Sequence, residues 1–401
     1  MNALRLITQD PILRLLAIAA FFTGSFTASI GPMQSVMAIR WFGMSDPAFA
    51  VMYVTGSTLS LVCAIGVGIL TDQTGRRRNA ARLAALAGFG GAALVWTTQS
   101  HWTFLAAHMV IFPLSATLFS QIFTLSRLAA SHHGPADAAA ILSAIRAILA
   151  LPWLIILPLW SMAFEAGVPI ISIYAGGALG VGIIAAIFVF AWPKDGQTRW
   201  QDGASGLSLR AALRELTQPA VISRVLLLIG VLMGVMVYLT LTGLILTGIE
   251  GRGTADVALF TALVAGFEVP FMLALRRPLL LLGRTRLIAL GAVIHASFLI
   301  LFPLIAETSL LWGLPVLAAM GAAVLLTQPM QYLQDLMASR PGAGGSLVAI
   351  CNLGAQIAAS AIFAAGTALG SYGTVAYLAA GLVVASGLSL IWLDRRDSTL
   401  M

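Results

Sequence analysis

The chain has 401 residues, of which 59% are hydrophobic and only 9% charged, with a formal net charge of +7. A soluble domain carries about 25% charged residues, so this composition excludes a water-covered globule. Most of the surface must face lipid, and the length accommodates about a dozen spans of about 20 residues. A basic balance can signal nucleic acid binding, but no long polar segment is present to carry it.

The apolar runs are continuous rather than alternating, which predicts helices and not a β-barrel. They predict twelve spans, at 12–38, 48–71, 80–99, 103–126, 137–161, 169–192, 221–247, 255–277, 285–306, 310–333, 344–368 and 373–393. A polar break from Pro193 to Pro219 divides them six and six. The expected organisation is therefore an N-terminal bundle over 1–193, a linker over 194–219 and a C-terminal bundle over 220–401. The run after Arg14 has the look of a signal sequence, yet it continues to Met37 without a cleavage site and reads as the first span. Cys63 and Cys351 both fall inside spans, as buried thiols rather than a disulfide framework. The 39 glycines suit close helix packing in a membrane.

Basic residues orient the chain. Between the second and third spans stands Gly75-Arg76-Arg77-Arg78. Arg5, Arg14, Arg82, Arg127, Arg276, Arg277, Arg284, Arg286, Arg340, Arg395, Arg396 and the basic residues of the central break share its side of the membrane. Arg40 and Arg252 fall on the other. Basic loops are retained on the cytoplasmic side, so both termini are expected there. The halves also repeat: Gly283-Arg-Thr-Arg286 follows Gly75-Arg-Arg-Arg78 by 208 residues, and the same offset carries Arg127 onto Asp335. Asp72 maps onto Leu280, so the second copy lacks that acid. In the central break, Leu207, Leu209, Ala212, Leu213 and Leu216 have helical spacing. They suit an amphipathic helix on the inner leaflet or a regulatory binding site.

Ionised groups at bilayer depth are costly and point to function. Arg146 lies about 13 Å into helix five and Glu268 about 12 Å from the end of helix eight, at 1.5 Å per residue. Helix four carries Thr117, Ser120, Gln121 and Thr124 on one face, and helix ten carries Gln328, Gln331, Tyr332 and Asp335 likewise. Such stripes face a substrate path or bond to neighbouring helices. His132-His133 has no companion ligands, and no phosphate-cradling loop or nucleophile–base–acid set is legible. No metal, cofactor or enzymatic activity is expected.

Taken together, Gly68-x-x-x-Asp72-x-x-Gly75-Arg76-Arg77 resembles the loop between helices two and three of major facilitator superfamily transporters. Gly266-Phe-Glu268-Val-Pro270, Gln334-Asp335-Leu336-Met337 with Arg340 and Gly342, Ser143-Ala-Ile-Arg146 and Gln121-Ile-Phe-Thr-Leu-Ser-Arg127 are similar to segments of the bacterial sugar efflux transporter family. Leu157-Pro158-Leu159-Trp160 departs from the glycine-rich helix-five motif of drug–proton antiporters. The resemblance implies two six-helix bundles with helices one, four, seven and ten lining a central cavity. Its implied substrate contacts are Gln34, Gln121, Trp153, Tyr238, Gln328, Gln331, Tyr332, Asn352 and Gln356, with Ser35 and Thr242 beside them. Amides and hydroxyls suit a neutral polyhydroxylated ligand, and a tryptophan can stack on a sugar face. The implied cytoplasmic latch is Asp72, Gly75, Arg76, Arg77, Arg127 and Asp335, with Asp72 capping helix eleven near Gly344-Gly345.

The resemblance also brings helices five and eight together across the interface of the halves. That makes Arg146–Glu268 a candidate pair, acting as a gate, as a proton carrier with its counter-ion, or as a fixed structural pair. The implied activity is proton-coupled efflux of sugars or glycosides by alternating access, from a monomer in a bacterial inner membrane. The rivals are efflux of amphipathic drugs or another small metabolite, and a membrane receptor or scaffold that does not transport.

Overall fold

A computed structural model describes the backbone of residues 2–194, 197, 198, 200, 219–336 and 341–398. It also describes their side chains, apart from Asn2, Asp72, Ala220, 341–346, Ala349 and 396–398. Among the described residues, twelve helices are long and apolar enough to cross a membrane, and no strand occurs. The chain is a multi-pass all-helical membrane protein. The helices are α1 (Pro11–Ile30), α2 (Asp46–Thr74), α3 (Arg77–Thr98), α4 (His101–Ala130), α5 (Pro135–Glu165) and α6 (Ser172–Ala191), followed by α7 (Pro219–Leu246), α8 (Thr254–Ala274), α9 (Arg284–Ile305), α10 (Leu314–Leu336), α11 (Pro341–Leu369) and α12 (Tyr372–Ser398). The expected surface helix around Leu207 and Leu216 lies outside the described residues.

Local chemistry sets the boundaries. Asp10 caps α1, accepting the Ile12 N–H at 2.8 Å and the Leu13 N–H at 3.2 Å. Pro11 follows at the first helical position, where its missing N–H costs nothing. The first span was expected to run unbroken to 38; instead α1 stops at Ile30. Pro32 offers no N–H to the helical ladder and its ring crowds the preceding turn. After the turn at 31–33, a short helix (Gln34–Val36) and a π-helical turn (Met37–Trp41) complete the crossing. Helix eight also ends earlier than expected, at Ala274, and a separate short helix (Arg276–Leu282) precedes the second basic turn. Both basic turns carry a glycine with positive φ. Gly75 has φ 65° and Gly283 has φ 74°, a left-handed conformation that glycine adopts without a Cβ penalty.

The chain folds into two compact units, Met1–Gly31 with Thr55–Leu207, and Pro32–Val54 with Ser208–Met401. The first is built from α1, most of α2 and α3–α6 around Leu13, Leu16, Ala84, Ala85, Ile122, Ile145, Ile184 and Phe188, all buried. Its helices approach closely: a Cβ added at Gly24 of α1 would stand 2.0 Å from the Leu149 carbonyl oxygen of α5. Small residues allow that crossing, where packing rather than hydrophobicity drives association in lipid. The second unit comprises α7–α12, around buried Leu228, Val231, Phe260, Phe298, Leu325 and Val383. It also takes in residues 32–54, which the sequence repeat assigns to the first six helices.

Candidate functional site

In the first unit, the polar residues that spacing groups on α4 differ in burial: Ser120 is exposed and Thr124 half-buried. Thr117 and Gln121 are each only 1% exposed. Thr117 donates to the Leu114 carbonyl at 2.7 Å and Ser120 to the Thr117 carbonyl at 2.8 Å, so these hydroxyls are satisfied by their own helix. Gln121 differs, because its side-chain oxygen is buried without a hydrogen-bond partner. A buried unpaired acceptor costs about 1–3 kcal/mol, which the fold tolerates at this position. Trp153 on α5 is half-buried, and a Cβ at Gly31 would stand 3.7 Å from its ring. Arg146 on the same helix is exposed, with its guanidinium carbon 5.7 Å from the Phe123 ring centroid of α4. That cation–π contact is where the first unit holds the arginine.

At the basic turn, Arg77 is buried and donates to the Thr71 hydroxyl at 3.2 Å. Arg78 donates to the carbonyls of Phe188 and Val189 at 3.2 and 3.0 Å, closing the end of α6. Arg76 and Arg127 are exposed. The Asp72 side chain lies outside the described residues, so its capping of helix eleven near Gly344-Gly345 stays a proposal.

The second unit carries the matching stripe on α10. Gln328 is 3% exposed. Its Nε2 donates to the Thr327 hydroxyl at 3.3 Å, whereas its Oε1 is buried without a partner. Gln121 and Gln328 thus occupy comparable places on repeat-related helices, each with an unsatisfied amide oxygen. Gln331 and Asp335 lie further along and engage the second basic turn: Arg284 pairs with the Asp335 carboxylate and reaches the Gln331 oxygen at 3.5 Å. Tyr332, grouped by spacing with the substrate contacts, is held in an ionic cluster. Its hydroxyl accepts from Arg224 at 2.8 Å and donates to Asp394 at 2.7 Å, and the Thr285 hydroxyl donates to the other Asp394 oxygen at 2.7 Å. This cluster ties α7, α9, α10 and α12 together.

Tyr238 on α7 is buried, and its hydroxyl has no well-formed hydrogen bond, with Thr261 beside it and Glu268 within electrostatic range. Glu268 is half-buried on α8. Thr242 donates to the Tyr238 carbonyl at 2.8 Å. Asn352 lines a small cleft with Leu232, Met330 and Leu333. Gln356 follows one turn later, half-buried and engaged. Gln34 opens the short helix after the break in the first span and is also engaged. Arg146 and Glu268 belong to different units, so their pairing stays a proposal.

Spacing did not single out two intramembrane histidines. His108 sits in the π-helical turn of α4, and its Nε2 meets the Tyr174 hydroxyl of α6 at 2.8 Å. His295 on α9 is fully buried between Gly234 and Gly321. The signal was present: histidine, like the charged residues, is rare inside a span.

No protein-family model matches the chain. A curated protein of Deinococcus radiodurans, named "Putative sugar efflux transporter", is 23% identical over 391 residues, spanning 95% of this chain and 97% of that protein. A crystal structure of a mutant of the nucleoside transporter NupG aligns with a TM-score of 0.77 at 13% identity, covering 96% of this chain and all of that one. A POT family transporter in complex with a thioalcohol-conjugated peptide aligns with a TM-score of 0.74 at 13% identity, covering 96% of each chain. These relatives are transporters rather than enzymes. The structural likeness shows the fold, which extends over nearly the whole chain.

Proposed function

We propose that this chain, which has the major facilitator fold, is a secondary transporter that exports a neutral polyhydroxylated solute, a sugar or glycoside, by alternating access. The observation that carries this reading is the pair of buried amide oxygens, Gln121 on α4 and Gln328 on α10, both without partners. Unpaired buried acceptors are rare because they cost free energy. A solute rich in hydroxyl donors satisfies both, and a cationic amphipathic drug offers far fewer such donors. Trp153, Asn352, Gln356, Gln34, Tyr238 and Gln331 complete a neutral inventory of amides and aromatic rings. The name of the Deinococcus relative points the same way. The nucleoside and peptide named for the structural neighbours stay with those proteins, because at 13% identity only the fold carries over.

Coupling falls to Glu268, the acid placed well inside a span, with Arg146 as its changing counter-charge. A proton taken up from outside in one state and released inside in the other drives the solute outward. The basic turns form the inner latch: Gly75, Arg76, Arg77 and Arg127 with Asp72 in the first repeat, and Asp335 with Arg284 in the second. The arginine distribution supports cytoplasmic termini, and a monomer in a bacterial inner membrane completes the reading.

A thermal-shift screen of the purified protein tests the substrate class. A sugar or glycoside is expected to raise the melting temperature, and the shift should shrink in Gln121→Ala. Stabilisation by amphipathic drugs alone, unchanged in Gln121→Ala, contradicts the proposal.

A further inference from the structure

The repeats differ where α2 and α8 approach the basic turns. In the first, α2 runs as one helix to Thr74, and its last residues before Gly75 are Thr71-Asp72-Gln73-Thr74. In the second, the offset of 208 residues sets Leu279-Leu280-Leu281-Leu282 in that place, directly before Gly283. The helix also breaks there. Pro278 has no N–H to give the Ala274 carbonyl. So α8 stops at Ala274, the Leu275 N–H reaches back to the Met272 carbonyl at 3.4 Å, and the short helix Arg276–Leu282 follows. In the first copy Thr71 is buried and accepts from Arg77. The leucine copy has no such hold: no residue of the short helix is buried, and Leu280 and Leu281 are 76% and 81% exposed.

The 21 residues of α8 cover about 31 Å at 1.5 Å per residue, which already crosses a hydrocarbon core of about 30 Å. The short helix therefore stands at the membrane surface, on the side of the basic turns. Exposed leucines are unfavourable in water but stable at the boundary of headgroups and acyl chains, where amphipathic helices lie. Arginines flank them in sequence. Arg276 and Arg277 precede the leucines, Arg286 follows Gly283, and all three are exposed. Arg284 is committed to Asp335. Arg276, Arg277 and Arg286 form no ion pair among the described residues.

We infer that the short helix Arg276–Leu282 is an interfacial anchor that binds anionic phospholipid: Leu280, Leu281 and Leu282 enter the acyl boundary, and Arg276, Arg277 and Arg286 hold the headgroup phosphates. The guanidinium fork matches phosphate oxygens with paired N–H donors, and a leaflet of net negative charge attracts clustered arginines at its surface. A second copy fits the patch poorly, because a two-fold contact sets the same surface against itself and brings arginine against arginine. The second repeat has thus exchanged the polar end of its counterpart for a lipid contact. The inference goes beyond the transport reading and does not depend on which solute is carried.

The test is fluorescence quenching in vesicles, which needs no solute. A bimane label is attached at Leu281→Cys in the full chain lacking Cys63 and Cys351. The protein is placed in phosphatidylcholine vesicles containing a small fraction of doxyl-labelled phosphatidylglycerol or, in a parallel set, doxyl-labelled phosphatidylcholine. Both quenchers should reach the label, and the anionic one should be preferred about fivefold or more, the factor for one arginine near an anionic surface. Replacing Arg276, Arg277 and Arg286 together by glutamine should bring that preference to about one. Arg5→Gln, Arg14→Gln and Lys194→Gln together remove the same charge elsewhere on that side and should leave the preference intact. Equal quenching by the two lipids without the glutamine substitutions overturns the anchor. So does an equal loss in both triple variants, which would reduce the effect to diffuse charge. A label shielded from both lipids, with 281–281 disulfide dimers forming in the vesicles, would assign the leucines to a second copy and also overturn it.

Discussion

Gln121 and Gln328 show how a cost in the folded state becomes an argument about function. Each buries an amide oxygen without a partner, a penalty of about 1–3 kcal/mol apiece. Leucine is close in volume and carries no acceptor, so Gln121→Leu and Gln328→Leu should leave the melting temperature unchanged or raise it slightly. The same variants should weaken binding of the exported solute about tenfold each, the loss of one good hydrogen bond per site. Calorimetric unfolding and a binding titration on the same preparations check the two halves of this prediction. Glutamines that merely bonded neighbouring helices would show the opposite pattern, lower stability with unaltered binding.

At the scale of helices, the architecture depends on a few close crossings and one ionic knot. Gly24→Ala should be poorly tolerated, because the new Cβ has the Leu149 carbonyl oxygen 2.0 Å away and the obstacle is backbone. Overpacking of this kind costs about 1–3 kcal/mol and should appear as a clear fall in melting temperature. The cluster of Arg224, Tyr332, Thr285 and Asp394 joins the ends of four helices in the second unit. Arg224 retains 7% side-chain exposure and Asp394 26%. Asp394→Asn leaves the arginine charge poorly matched and should cost about 3 kcal/mol, the low end for a broken buried pair because the aspartate is partly solvated. Tyr332→Phe should cost about 1 kcal/mol with little effect on solute affinity, since its hydroxyl is already committed.

Across the whole molecule, the helices were legible because spans of lipid-facing residues leave a long, unambiguous apolar signal. The basic turns were legible because a glycine followed by arginines recurs 208 residues on, and both glycines have positive φ. The break in the first span was visible as Gly31-Pro32, yet hydropathy averages over a single proline and reads through it. Within the candidate site, spacing grouped Gln121 and Gln328 with the other polar residues of their helices. It could not separate them from Thr117 or Tyr332, because periodicity reports a direction and says nothing about which partner is already present. Arg224 counts in the sequence only among the basic residues of the central break, and the fold alone brings it to Asp394. The affiliation of residues 32–54 was not legible at all, since it depends on contacts more than two hundred residues apart in sequence.

The central claim is that solute export is driven by protons through Glu268. The most direct measurement uses proteoliposomes with an imposed pH gradient and a radiolabelled glycoside identified by the binding screen. Glu268→Gln keeps the side-chain shape and removes its titration. Wild-type protein should concentrate the glycoside against its gradient, and Glu268→Gln should exchange it across the membrane at a comparable rate without concentrating it. Uphill accumulation by Glu268→Gln at the wild-type level would contradict the account.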